Sequence, residues 1–187
     1  MRLELDAPAT WVHVPTDLPT GPQAEAAVGA WADEVVAGLR RRRPDAEAER
    51  LDTVREFAMQ ARLRLLPGAA AGLLYLPEAV PIGLVVSIGV SEPEPIEGSL
   101  VRALLGDADL VGRPNVEPVE VPGVGSGISV RCVFAAAPGR TSAAGLAYLL
   151  QGDRATVRVM ASPAQQELIA HAAASLAEIV ASLRLVE

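Results

Sequence analysis

Three glycines, Gly123, Gly125 and Gly127, alternate with Val124 and Ser126 inside the stretch EVPGVGSGISVRCVF. Of all spacings in the chain, this one comes nearest to a reaction motif. A dinucleotide-binding turn needs a helix directly after its glycines, so that the helix N-terminus meets the pyrophosphate. Here the continuation, ISVRCVF, is β-branched and alternating. A nucleophile elbow needs Gly two positions before and after the serine, and around Ser126 those positions hold Val124 and Ile128. The glycines therefore read as a corner or bulge between two strands, where positive φ or close backbone approach is required.

The remaining reactive groups are few. Asp107 and Asp109 open like a calcium loop, but the fifth and twelfth positions of that pattern fall on Val111 and Pro118, which removes the required acid. His13, His171 and Cys132 cannot supply the four N/S ligands of a structural zinc site. A Cys132–His dyad depends on the fold, because such partners meet in space and not in sequence. In its alternating strand Cys132 reads as a small core residue. All sixteen basic residues are Arg. Without Lys there is no Walker-type phosphate lysine and no Schiff-base chemistry. No catalytic residue, metal or cofactor is expected.

Arg40, Arg41, Arg42 and Arg43 form the one basic run. Positive charge at a helix C-terminus complements the macrodipole, yet four consecutive arginines exceed that need and point to docking of an acidic protein partner. The acidic loop Glu92 to Glu97 is a second surface feature of this kind. A net charge of −7 with 3% aromatics argues against nucleic acid and against anionic membrane surfaces.

The elements that must position these residues follow from periodicity. Short alternating strands are expected within Arg2–Val14, then a turn-rich connector from Thr16 to Pro22. A helix from about Gln23 to Arg42 carries the stripe Val28, Trp31, Val35 and Leu39. A second helix, from Asp45 to about Leu63, repeats that stripe through Leu51, Val54, Phe57 with Ala58, Ala61 and Leu65. Strands follow at Leu73–Pro77 and Ile82–Val90, with a short helix at Ser99–Leu105. Further strands are expected at 116–121, 128–134, 146–151 and 155–160, with a turn at Gly152-Asp153. A last helix starts at Ser162-Pro163 and buries Leu168, Ile169, Leu176, Ile179, Val180 and Leu183.

Helices first, a run of strands, then a closing helix predict one α+β domain over residues 1–187: an antiparallel sheet of five or six strands flanked by two or three helices. One cysteine and a leader without an apolar core predict a cytoplasmic, soluble protein. The longest apolar region, Ala69–Val90, is broken by Pro77, Glu78 and Pro81 and falls short of a membrane span.

From Glu117 to Val186, "VEVPGVGSGISVRCVF", "GLAYLLQGDRATVRVMAS" and "ELIAHAAASLAEIVASLRL" resemble uncharacterised actinobacterial proteins of the Mog1/PsbP-like α/β sandwich type. The shared plan is a Val-Pro-Gly corner, a strand bearing Arg131, a hairpin carrying Tyr148 and a final helix ending in Ser-Leu-Arg-Leu. Trp11, Pro15 and Trp31 match it in outline. The resemblance implies a sheet flanked by helices that serves as a binding or accessory module, without an active site to carry over. Many such proteins are exported or lipid-anchored, and this chain shows neither a signal nor a lipobox cysteine.

The expected function is a non-enzymatic interaction or accessory module with a protein partner, which includes self-association. A small-molecule binder or atypical hydrolase drawing on His13, Cys132, Asp107 or Asp109 is the second reading. A subunit of a larger bacterial assembly is the third.

Overall fold

A computed structural model of the protein describes residues 1–18, 22–77, 83–136 and 141–186. Residues 19–21 of the expected connector, and Ile82 at the expected start of a strand, lie outside the described residues. In chain order the elements are β1 (Arg2–Glu4), β2 (Trp11–Val14), α1 (Pro22–Arg42), α2 (Ala48–Arg64), β3 (Ala71–Tyr75) and β4 (Leu84–Ser91), followed by α3 (Leu100–Leu105), β5 (Asn115–Val121), β6 (Gly125–Phe134), β7 (Ala143–Gln151), β8 (Thr156–Ala161), α4 (Gln166–Ala181) and β9 (Arg184–Val186).

Seven strands form one antiparallel sheet in the order β2-β3-β4-β8-β7-β6-β5. Two meanders, β2-β3-β4 and β5-β6-β7-β8, meet at the central β4–β8 pair. The α+β class is as expected from sequence. Among the described residues the sheet is one or two strands wider than the expected five or six and is accompanied by four helices, against the expected two or three.

Alternation along the central strands assigns the two faces. Leu84, Val86 and Ile88 of β4 share a buried cluster with Leu146, Tyr148 and Leu150 of β7, beneath Leu168, Leu176 and Ile179 of α4. The opposite face is covered in two parts. Over the β2–β4 half, Leu74 and Val85 pack against Val35 and Leu39 of α1 and Leu51 and Val54 of α2. Over the β6–β7 half, Val130, Cys132 and Leu149 pack against Leu104 of α3. Leu73, Val86, Leu149 and Leu176 are wholly shielded from solvent. Burying each such side chain contributes about 1.5–3 kcal/mol.

Two expectations at the end of the chain need correction. Ser162-Pro163 does not begin α4. Ser162 N–H bonds Val85 O at 2.7 Å, and Ala164 exchanges both backbone bonds with Ala144 at 2.7 and 3.0 Å. Sheet pairing thus wins over local capping, and the helix waits until Gln166. Arg184 and Leu185, expected to end that helix in the Ser-Leu-Arg-Leu plan, instead lie in β9, which pairs antiparallel with β1 in a separate ribbon. The ribbon is tied by Arg184 Nη2, which donates to both carboxylate oxygens of Asp6 at 3.0 Å. No helix among the described residues is long and apolar enough to cross a membrane.

Candidate functional site

The glycine-rich stretch is the turn between β5 and β6. Val124 N–H donates to Val121 O at 3.0 Å, with Pro122 and Gly123 between them and Gly123 at φ 75°. Proline followed by a positive-φ glycine is the chemistry of a type II turn. Beyond the turn the reason for glycine changes. A Cβ at Gly125 would lie 2.1 Å from Gln151 O, one at Gly127 1.8 Å from Leu149 O, and one at Gly152 2.0 Å from Val124 O. These glycines let the β5–β6 and β7–β8 hairpin ends press backbone to backbone. The open cleft between them, about 600 Å³, is lined by Glu120 and Asp153 together with Arg154, whose guanidinium is already bonded to Gly123 O and Leu185 O.

Cys132 is buried beneath α3, and burial pushes its thiol pKa up despite a backbone hydrogen bond with Gly145 that works the other way. A buried, protonated thiol is a poor nucleophile. His13 is exposed on β2, opposite Leu73. Five strand spacings separate β2 from β6, roughly 24 Å at about 4.8 Å per strand. A His13–Cys132 dyad is therefore not assembled. His171 is exposed on α4 with its ring centroid 6.2 Å from that of Tyr75, an aromatic contact at the β3 end of the sheet.

Asp107 and Asp109 are both exposed. Asp107 pairs with Arg102 at 2.8 Å, and Asp109 uses its backbone carbonyl to accept Ala135 N–H at 2.8 Å. Among the described residues no group of three or more His, Cys, Asp or Glu is placed to hold a metal ion.

Arg40, Arg41, Arg42 and Arg43 are all exposed, at the end of α1 and the tip of the α1–α2 hairpin. They have different surroundings. Arg42 donates to Ala9 O and so fixes the helix end against the segment before β2. Arg43 lies 3.7 Å from Asp45. Arg40 and Arg41 make no hydrogen bond or ion pair among the described residues. The acidic loop is partly committed to the fold: Glu94 pairs with Arg158 at 3.7 Å, and its backbone is held by Thr156 Oγ1 and Gln151 Nε2.

Sequence reasoning passed over two arrangements. Arg154 Nη2 donates to Leu185 O at 2.7 Å and to Gly123 O at 3.4 Å, linking the β9 ribbon to the glycine turn. Arg113 and Arg131 line a cleft beside α4. The hairpin register, which sets Asn115 opposite Arg131, is the signal that brings them together, and it is readable once the turn is centred on Gly123.

No protein-family model matches the chain, and no curated protein matches it. The solution structure of cyanobacterial PsbP (CyanoP) from Synechocystis sp. PCC 6803 is similar, with 15% sequence identity and a TM-score of 0.40 over 65% of this chain and 76% of that chain.

Proposed function

We propose that the protein is a non-enzymatic interaction module, acting as one domain, that docks an acidic protein partner through the α1–α2 hairpin tip. The observation that carries this reading is the pair Arg40 and Arg41: exposed, adjacent, and without an internal ion pair or hydrogen bond among the described residues. In a chain of net charge −7, elsewhere rich in acids able to pair with them, two such guanidiniums present donors suited to carboxylates. Charges of this kind act mainly on encounter rate and specificity. The separation of His13 from Cys132 supports binding over hydrolysis. Cytoplasmic placement belongs to the same proposal and rests on the lone thiol of Cys132.

The test is crosslinking and mass spectrometry in the source organism with the wild-type chain and the R40E/R41E variant. The expected result is one reproducible, salt-sensitive partner lost from the variant. A partner set unchanged by the reversal overturns the assignment of the surface.

A further inference from the structure

On the face of the sheet opposite the α1–α2 hairpin, a cleft of about 300 Å³ opens between β6, β7 and α4. That volume is at the small end of ligand pockets. Its floor is apolar: Val133, Ala144, Ile169 and Ala173, of which Ile169 and Ala173 are buried core residues of α4. Val111 stands at the rim with 55% of its surface exposed, one of the few large aliphatic side chains left uncovered. Arg113 and Arg131 flank it, and among the described residues the lining contains no Asp or Glu, although the chain has 23 acids.

Neither arginine makes a hydrogen bond or ion pair among the described residues, in contrast to Arg55, Arg102, Arg154 and Arg184. Glu117, the acid nearest along β5, accepts instead from Asn115 Nδ2 at 3.1 Å. The charge of Arg131 is felt at Tyr148, where it offsets part of the upward push of burial on the phenol.

Two guanidiniums without a partner among the described residues, set over an apolar floor, complement one chemical class. We propose that this cleft binds a small aliphatic carboxylate, its hydrocarbon part against Ile169, Ala173 and Val111 and its carboxylate held by Arg113 and Arg131. Guanidinium forks match carboxylate oxygens in pairs, and the apolar floor selects against a bare inorganic anion. The same chemistry has two sources, a free acid and the C-terminal carboxylate of a peptide ending in an aliphatic residue.

The experiment titrates the full ¹⁵N-labelled chain with octanoate, an N-acetylated pentapeptide ending in Leu, octylamine and inorganic phosphate, reading amide shifts. Saturable shifts at Gly145, Ala170 and Ala173 with octanoate are expected, weakened at least about tenfold in R113Q/R131Q, and absent with octylamine and phosphate. If the peptide alone produces them, the site stands and its source is a chain terminus. Equal response to octylamine overturns the proposal, as does binding unaffected by R113Q/R131Q or no response to either carboxylate. Both arginines are exposed, and the amide spectrum itself reports that the variant is folded. The cleft and the hairpin tip are on opposite faces, so the R40E/R41E result leaves this one unchanged.

Discussion

Trp11 Nε1 donates to Ser175 Oγ at 3.0 Å, fastening the edge strand β2 to the closing helix α4. Ser175 passes the bond on to Ala172 O at 3.1 Å, and the Trp11 ring meets Tyr75 with centroids 4.8 Å apart. Residues 164 positions apart in sequence thus share one short polar chain inside an apolar cluster. Ser175→Ala leaves a buried indole N–H without its acceptor, a loss of about 1–3 kcal/mol. Thermal melting should fall by roughly 2–4 °C per kcal/mol in a chain of this size. With Trp31→Phe as background, the Trp11 emission reports the change directly. An unchanged melting temperature would show that the bond carries no net stability.

Two glycines in the same sheet should respond in opposite directions. A Cβ at Gly127 would sit 1.8 Å from a backbone oxygen of β7, which no side-chain adjustment relieves, whereas one at Gly89 in β4 meets nothing within 4 Å. Gly127→Ala is expected to destabilise by on the order of 3 kcal/mol or more through forced strand separation. Gly89→Ala should be neutral or stabilise by up to about 1 kcal/mol, because it reduces unfolded-chain entropy without strain. Chemical denaturation of the pair checks both signs. Equal effects would show that the close approach at Gly127 is not rigid.

This contrast also shows what sequence can carry. The α1 and α2 stripes, the α4 core positions and the β5–β6 corner were readable, since local period and turn chemistry dictate them. β9 was not. Arg184–Val186 is too short to declare itself and gains its strand geometry only from β1, some 180 positions away. The start of α4 was displaced for the same reason: Ser162 and Ala164 satisfy distant backbone partners first. The cleft at Arg113 and Arg131 needed the hairpin register together with α4 crossing above it, and no local pattern encodes that crossing.

Alkaline pH should weaken the fold. Burial raises the pKa values of Cys132, Tyr75 and Tyr148, with Arg131 opposing part of the rise at Tyr148. The native state therefore keeps protons that the unfolded chain releases above about 8.5 for a thiol and about 10 for a phenol. Stability is complete below those values and declines as pH climbs through them, since the unfolded state then binds fewer protons. Urea midpoints should hold level from pH 7 to 8 and drop progressively between pH 9 and 11. Cys132→Ala should remove the first part of that fall. The native thiol should also react slowly with a disulfide reagent at pH 8 and at once in denaturant; rapid native reaction would contradict its burial.

The arginine run divides by what each residue touches. Arg42 is bonded to Ala9 O and Arg43 lies near Asp45, while Arg40 and Arg41 project from the hairpin tip without such contacts among the described residues. R42A should lower the melting temperature measurably, because the end of α1 loses its tie to the segment before β2. R40E/R41E should leave it within about 2 °C of wild type, as exposed charges contribute little to stability. Partner association should show the reverse order, with R40E/R41E slowing the salt-dependent on-rate about tenfold and R42A changing it far less. Comparing melting curves with association kinetics for the two variants separates a structural tie from a docking surface. Equal losses in both assays for both variants would mean that the whole run serves the helix end alone.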